Sequence, residues 1–215
     1  MSSKPKFARV GPLHFQPLEW ELEPVSQYLR GHLLNAGCGN RDIEPYLREV
    51  GIERLTNYDI ASTLAGAVLG PLETMPFVDA QFDSVLCNAV LEHVASAEAV
   101  VSELVRVLRP GAHAVLTVPF LQPFHECPLD FRRYTRDGLV ALGERAGLKA
   151  VAVNPVHSAA QTLGWIAWEI ALEKQSRLLR WALWPVIYLA TRIWIRTDPG
   201  ILRNANTYQI VFARS

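Results

Sequence analysis

Residues 33–40 read Leu33-Leu34-Asn35-Ala36-Gly37-Cys38-Gly39-Asn40. Two apolar residues lead into a turn with two glycines, and a helix-compatible segment follows over 43–50. The pattern predicts a buried strand, a glycine turn and the start of a helix. Glycine lets backbone N–H groups approach a ligand closely, and a helix N-terminus offers unpaired donors to an anionic group. A plain structural turn would have the same residues, so the neighbouring features must decide between the two.

The residues after the turn exclude one ligand class and favour another. The dinucleotide fingerprint needs a third glycine at position 42, where Asp42 stands. Asp59 ends a second apolar run, at about the 20-residue spacing that brings a carboxylate to a ribose. A short glycine turn with a ribose-binding acid, and no room made for a pyrophosphate, suits an adenosyl ligand that lacks phosphates.

Composition bounds the class of protein. The chain has 215 residues, 50% of them hydrophobic, which is enough for one domain with a real core and an added subdomain. Lys plus Arg equals Asp plus Glu, so a nucleic-acid polymer is not the expected partner. The three cysteines are far apart, and residues 1–9 have no apolar signal core, so we expect a cytoplasmic protein.

Alternating apolar runs and helical segments predict a parallel sheet with helices on both faces. The predicted strands are 32–36, 54–59, 66–69, 82–87, 112–118, 149–154 and 207–213. The predicted helices are 24–30, 41–50, 97–108, 136–146, 159–173 and 176–195, with Ser96 and Thr135 as N-caps and Gly147 as a stop. We expect an N-terminal arm and helix at 1–30, a ligand-binding domain at 31–156 and 206–215, and a helical insertion at 157–205.

The insertion carries five of the six tryptophans, and its longest uncharged run, 181–191, is too short to span a bilayer. Three interpretations remain open. The insertion is a dimer interface or a substrate lid, or it packs plainly against the body, or it docks on a membrane surface. Arg177, Arg180, Arg192 and Arg196 flank the Trp-rich run and motivate the last.

Two further stretches carry a family resemblance, QFDSVLCNAVLEHV at 81–94 and LVRVLRPG at 104–111. Together with the glycine turn they resemble the class I S-adenosylmethionine (SAM) methyltransferases of the type 11 group, over about residues 30–155. The resemblance implies a Rossmann-like α/β fold with a seven-stranded sheet, mostly parallel, whose last strand is antiparallel and here follows the insertion.

The resemblance also implies which residues contact SAM. In the family, an acid is usual where Asn35 stands and a glycine is frequent where Asn40 stands, so Asn35 can accept a hydrogen bond but brings no charge to the site. The implied cofactor-binding residues are Asn35, Ala36, Gly37 and Gly39 in the turn, Asp59 and Ile60 at the ribose and adenine, Leu72 in the adenine loop, and Asn88 and Ala89 after the fourth strand.

Polar residues are dense in the loop that follows the fifth strand, where open α/β sheets place their sites. A surface loop whose charges pair with one another is the competing interpretation. We expect His125, Glu126 and Asp130 to be catalytic and Arg132 and Tyr134 to bind substrate. Similar loops resemble bacterial polysaccharide methyltransferases, including mycobacterial enzymes of methylmannose polysaccharide formation, which implies a sugar acceptor.

A finer resemblance concerns a metal. The small-RNA 3′-end 2′-O-methyltransferases have a Glu-x-x-Glu-His stretch and a later His that bind Mg²⁺. Glu92-His93 matches the second half of that stretch, Ala89 replaces the first Glu, and His125 matches the later His. Mg²⁺ at Glu92, His93 and His125 is therefore expected to hold a vicinal diol, although Mg²⁺ prefers oxygen ligands.

The sequence thus predicts a SAM-dependent O-methyltransferase acting on a sugar or oligosaccharide, homodimeric and with peripheral membrane contact through its insertion. Two other functions remain open. One is methylation of a lipid-like or aromatic small molecule in a pocket lined by the Trp-rich insertion. The other is a non-catalytic SAM-fold scaffold, motivated by Asn35 and Asn40.

Overall fold

The computed structural model describes residues 8–10, 13–15, 17–125, 128–173, 177–194, 203 and 205–215. A seven-stranded sheet forms its centre, in the order β5-β4-β3-β6-β7-β9-β8. The strands are β3 (His32–Ala36), β4 (Arg54–Asp59), β5 (Val68–Leu69), β6 (Phe82–Asn88), β7 (Leu108–Pro119), β8 (Leu148–Val156) and β9 (Thr207–Arg214). Strands β3 to β7 pair in parallel, and β9 runs antiparallel to both of its neighbours. The predicted α/β sheet, mostly parallel with an antiparallel last strand, is confirmed.

The helices lie on both faces of this sheet. They are α1 (Leu18–Leu22), α2 (Glu44–Glu49), α3 (Ala97–Val107), α4 (Arg136–Arg145), α5 (Ala159–Glu173) and α6 (Arg177–Trp194). Ser96 and Thr135 cap α3 and α4 as predicted, accepting from the N–H of Ala99 at 3.3 Å and of Gly138 at 3.1 Å. Gly147 has φ +89° just after α4, the conformation that favours glycine at a helix stop.

Alternation along the strands divides the core into two layers. In β3, Leu34 packs with α3 and α4, whereas Leu33 packs with α1 and α2. In β7, Leu116 and Val115 divide in the same way. Successive strand residues point to opposite faces, so one sheet fills two cores. The sheet is therefore buried on both sides, and its free edge for ligands is the edge where the parallel strands end.

Several boundaries differ from the prediction: α2 begins at Glu44 rather than 41, β5 begins at Val68 rather than 66, and β8 extends beyond the predicted 149–154. Strand β7 begins at Leu108, four residues earlier than expected. Its pairing with β6 shifts register between Phe82 and Ser84, so Pro110 and Gly111 lie in an irregular part of the strand rather than before it. The predicted helix 24–30 is a 3₁₀ helix, Glu23–Tyr28, preceded by α1. The arm before the sheet thus packs on the body through Leu18, Leu22 and Val25.

The insertion folds as predicted into two helices, α5 and α6. Trp165 and Ile187 form the buried centre of the contact between them. A short antiparallel pair, β1 (Ala8–Val10) and β2 (Leu13–Phe15), lies against these helices. None of the helices within the described ranges is long and apolar enough to cross a membrane.

Candidate active site

The glycine turn lies at the carboxyl end of β3. The N–H groups of Gly37 and Cys38 both donate to the Tyr58 carbonyl, at 2.8 and 3.2 Å, which ties the turn to β4. Gly37 has φ +74°, and a Cβ there would lie 2.3 Å from Cγ2 of Val90. Gly39 has φ +55°, and no described atom lies within 4 Å of a Cβ built there. The first glycine is required by packing, and the second borders open space that a ligand can fill.

Asp59 joins the turn to the end of β4. Its carboxylate accepts from the N–H of Gly39 at 2.8 Å and from the N–H of Ala61 at 2.9 Å, one bond to each oxygen. The side chain of Ile60 is 70% exposed beside it. A carboxylate held by two backbone donors, next to an exposed apolar side chain, offers a nucleoside both a ribose partner and a surface for its base.

The two asparagines that depart from the family pattern each have a local partner. Asn35 is buried and donates its amide N–H to Oδ1 of Asn57 on β4, at 2.9 Å. Asn40 accepts at Oδ1 from the backbone N–H of Thr63 at 2.6 Å and from its hydroxyl at 2.9 Å. The first bond joins β3 to β4, and the bonds of Asn40 brace the loop after β4 against the glycine turn; none of them uses a charge.

Contacts with β4 and with the core hold the predicted adenine loop in place. Leu72 is buried in the main core, and the hydroxyl of Tyr58 donates to the Pro71 carbonyl at 3.0 Å. A Cβ at Gly70 would lie 2.3 Å from that hydroxyl oxygen. The loop therefore passes directly over the end of β4, and Leu72 anchors it rather than facing outward.

The end of β6 contributes an acceptor and a strained residue. The Oδ1 of Asn88 is buried and has no hydrogen-bond partner among the described residues. Ala89 has φ +55°, unusual for a residue with a side chain, and its N–H donates to the Thr117 carbonyl at 2.8 Å. Unpartnered buried acceptors and strained backbone are concentrated at binding sites, which is where the family resemblance places both residues.

Three residues of the predicted metal set come together at the same edge. Ligand atoms of Glu92, His93 and His125 all lie within 4.8 Å of one another. Nε2 of His93 is 3.7 Å from Oε1 of Glu92, and the two imidazole centroids are 5.3 Å apart. Val90, which packs on Gly37, lies two residues before Glu92, so the cluster and the glycine turn share one edge of the sheet.

Glu92 is the least solvated member of this cluster. Its side chain is fully buried, and neither carboxylate oxygen has a hydrogen-bond partner in the described part of the chain. Burial raises the pKa of Glu92 to about 7, since the ionised form loses its hydration. Burial also lowers the pKa of His93, so its imidazole is neutral at pH 7.

A salt bridge fixes the loop that carries His125. The side chain of Asp130 is 1% exposed, and its carboxylate accepts hydrogen bonds from both terminal guanidinium nitrogens of Arg133. Its Oδ2 also accepts from the backbone N–H of His125 at 2.8 Å. The Arg133 guanidinium lowers the pKa of Asp130 to about 2. Asp130, predicted to be catalytic, therefore holds the backbone at His125 in place.

The remaining predicted residues make other contacts or lie outside the residues that the structure describes. Arg132 donates to the Ala95 carbonyl at 2.6 Å. Tyr134 packs against the main core. Glu126 lies outside the described residues.

Trp165 of the insertion packs beside His125. The ring of Trp165 on α5 lies 5.6 Å from that of His125 between centroids, and its Nε1 donates to Glu169 at 3.0 Å. The sequence marks Trp165 only as one of several insertion tryptophans. Its contact with His125 depends on how α5 returns over the sheet, and no local pattern encodes that.

Comparison with known proteins finds similar methyltransferase sequences. Residues 34–116 match the family model described as a methyltransferase domain. A malonyl-[acyl-carrier protein] O-methyltransferase of Enterobacter lignolyticus (strain SCF1) is 36% identical over an alignment of 104 residues that covers 44% of this chain. The matched region spans 40% of that relative's length.

Solved structures share the fold at low identity. The [4+2]-cyclase SpnF superposes with a TM-score of 0.61 at 15% identity, covering 93% of this chain and 82% of its own. The 1,6-didemethyltoxoflavin-N1-methyltransferase of Burkholderia thailandensis, solved with its substrate and S-adenosylhomocysteine, gives 0.59 at 15% identity, covering 93% and 77%. The chain therefore has the Rossmann-like methyltransferase fold.

Proposed function

We propose that this protein is a SAM-dependent methyltransferase that transfers a methyl group to a hydroxyl of a sugar or oligosaccharide. The observation that carries this is the meeting, at one edge of the sheet, of the glycine turn with the Glu92, His93 and His125 cluster. The methyltransferase-domain match over residues 34–116 supports the same activity. Methylation of a hydroxyl requires a SAM site next to a group that can take the proton of that hydroxyl, and the cluster would supply such a group.

The chain's own groups fit SAM at the turn. Open space beside Gly39 would receive the methionine part, Asp59 would accept from the ribose hydroxyls, and Ile60 would pack on the adenine. The unpartnered Oδ1 of Asn88 would accept from a ligand donor at the end of β6. When bound, SAM supplies a methyl group already activated by its sulfonium, so the protein must mainly align the acceptor and remove its proton.

The cluster would handle that proton. Nε2 of His125 would take the proton of the acceptor hydroxyl as the methyl group is transferred from bound SAM. In the alternative version, a divalent cation would bind at Glu92, His93 and His125, so that Nε2 of His125 would be a ligand rather than the base, and the cation would hold two neighbouring hydroxyls of a sugar and lower the pKa of one.

The insertion is assigned the role of a lid over the acceptor. Trp165 on α5 contacts His125, and helix α6 packs behind α5 through Ile187. An indole beside the acceptor suits the apolar face of a sugar ring and excludes water from the transfer.

A second candidate is methylation of a lipid-like or aromatic acceptor. Apolar side chains of both insertion helices are exposed, most of all Leu163 on α5 and Leu178 and Trp181 on α6, at 67%, 81% and 82%. Such a surface would suit an acceptor that arrives from an apolar phase.

Methyl-labelled SAM separates the two candidates. The purified chain is incubated with a panel of mono- and oligosaccharides and with a panel of fatty and aromatic acceptors. We expect label on the sugars, and His125→Ala should lower kcat by roughly 10²–10⁴-fold, as for a lost general base. His113→Ala, six residues before the carboxyl end of β7, is the matched control and should keep its rate. Label found only on aromatic or fatty acceptors would reverse the assignment.

A further inference from the structure

We infer that Glu92, His93 and His125 form a three-ligand site for a borderline divalent ion such as Zn²⁺, rather than for the Mg²⁺ that the sequence predicts. The catalytic use of this ion rests on the proposed function, whereas its binding does not. Four features of the cluster support this inference.

The first feature is spacing. The three ligand atoms lie within 4.8 Å of one another, and the Glu92–His93 pair is already at 3.7 Å. A tetrahedral Zn²⁺ with bonds of about 2.0–2.1 Å places neighbouring ligand atoms about 3.3 Å apart. The ligand atoms would therefore have to draw closer together by up to about 1.5 Å for such an ion to bind.

The second feature is the orientation of both imidazoles. Nδ1 of His93 lies 2.5 Å from the Leu129 carbonyl, an acceptor only, so Nδ1 carries the proton and Nε2 keeps its lone pair. Nδ1 of His125 lies 3.0 Å from the Pro123 carbonyl in the same way. Metal-binding histidines commonly donate their other ring N–H to such an oxygen, which fixes the tautomer that a metal needs.

One contact of His125 competes with that assignment. Nη2 of Arg133 lies 3.2 Å from the same Nδ1. However, this nitrogen already donates to Asp130 and to the Pro123 carbonyl, at 2.7 Å each, and these bonds use both of its protons. Nδ1 of His125 is therefore the donor, and Asp130 neutralises the guanidinium beside the site.

The third feature is the Glu92 carboxylate. It is fully buried, neither oxygen has a hydrogen-bond partner among the residues described, and its Oε1 lies toward His93. A buried carboxylate without a partner is costly, so such groups are usually paired or coordinate a metal. A cation between the two imidazoles supplies the missing partner.

The fourth feature is the chemistry of the donor set. Mg²⁺ takes oxygen ligands and retains water, whereas two imidazoles and one carboxylate suit Zn²⁺, Mn²⁺ or Fe²⁺. Three protein ligands leave a fourth position open, the arrangement of catalytic rather than structural zinc sites. The open position would receive an acceptor oxygen.

Calorimetry on the metal-free chain tests the inference. The purified protein is treated with EDTA, dialysed, and titrated separately with ZnCl₂, MnCl₂ and MgCl₂. We expect one equivalent of Zn²⁺ to bind, Mn²⁺ to bind more weakly, and Mg²⁺ to bind weakest of the three. Equal or tighter binding of Mg²⁺ would overturn the assignment of the ion.

Three variants place the ion. His93→Ala and His125→Ala should each weaken Zn²⁺ binding by about 10-fold or more, whereas His113→Ala should bind like the wild type. Glu92→Gln should also weaken Zn²⁺ binding, but should raise the denaturation midpoint of the metal-free protein, because it removes a buried unpaired charge. A merely structural role for Glu92 predicts a lower midpoint. Unchanged Zn²⁺ affinity in His93→Ala and His125→Ala would place the ion elsewhere and overturn the site.

Activity assays separate this inference from the proposed function. Wild-type methyl transfer in EDTA would remove the metal from catalysis and leave the methyltransferase assignment intact. Stoichiometric Zn²⁺ binding with no SAM binding would support the metal site and overturn the methyltransferase assignment.

Discussion

At Gly37, the cost of steric overlap with a neighbour can be measured separately from the cost of a positive φ, because a second glycine shares its backbone conformation. A Cβ at this position would lie 2.3 Å from Cγ2 and 2.9 Å from Cγ1 of Val90. Ordinary carbon contacts are about 3.5–4.0 Å, so Gly37→Ala creates an overlap of more than about 1 Å. Val90 is buried and β-branched, hence stiff at χ1, and cannot rotate away easily.

The control is Gly111→Ala. Gly111 has φ +75°, nearly equal to the +74° of Gly37, but no described atom lies within 4 Å of its Cβ position. Both substitutions therefore share the backbone penalty of about 1–2 kcal/mol. Only Gly37→Ala adds overpacking of about 1–3 kcal/mol. We expect the Gly37 variant to lose that much more free energy of unfolding, as measured by urea denaturation.

A double-mutant cycle completes this test. Val90→Ala removes both methyl groups that the new Cβ would meet, so Gly37→Ala should cost about 1–3 kcal/mol less in that background. SAM affinity should fall in Gly37→Ala and stay unchanged in Gly111→Ala, which lies at the opposite edge of the sheet. Equal destabilisation by the two glycine variants, or additive effects of Gly37→Ala and Val90→Ala, would refute the packing argument.

Three further predictions follow from named contacts. Asp59→Asn removes the charge offered to a ribose, so calorimetry should show SAM binding weakened by about 10-fold, or 1.4 kcal/mol, and wild-type affinity would remove Asp59 from the site. Tyr58→Phe loses the bond to the Pro71 carbonyl and should lower the free energy of unfolding by about 1 kcal/mol, whereas a more stable variant would contradict it. Glu103 accepts three hydrogen bonds, two from Arg106, and these lower its pKa, so Glu103→Gln should cost about 1.5–3 kcal/mol at pH 7. Because the folded pKa lies below the ordinary value of 4.5, that stability is present above this value and should vanish as the pH falls through the folded pKa; a pH-independent difference would refute it.

The local features of the fold could be predicted because local chemistry determines them. Strands β3 and β4 have the predicted bounds, since apolar runs that end at a glycine turn and at an acid leave little choice. Ser96 and Thr135 begin their helices because a hydroxyl satisfies an orphan N–H at each start. In these places one or two residues decide the structure.

Tertiary contacts could not be predicted in this way. The early start of β7 depends on its register with β6, and the folding of the arm depends on the face of the sheet that it covers. The site shows the same limit. The dense charges at 125–134 predicted chemistry, but the pairing of Asp130 with Arg133 makes two of them a support for His125. Trp165 reaches His125 from a segment that follows 40 residues later in the chain.

Direct titration of the purified chain with SAM tests the central claim. The glycine turn, the backbone-held carboxylate of Asp59 and the unpartnered Oδ1 of Asn88 predict one SAM site per chain. Its dissociation constant should lie within the range of about 1 μM to 1 mM that is usual for enzyme substrates. S-adenosylhomocysteine should compete for the same site. The absence of SAM binding at about 1 mM would contradict the account and would favour a scaffold that keeps the fold without the cofactor.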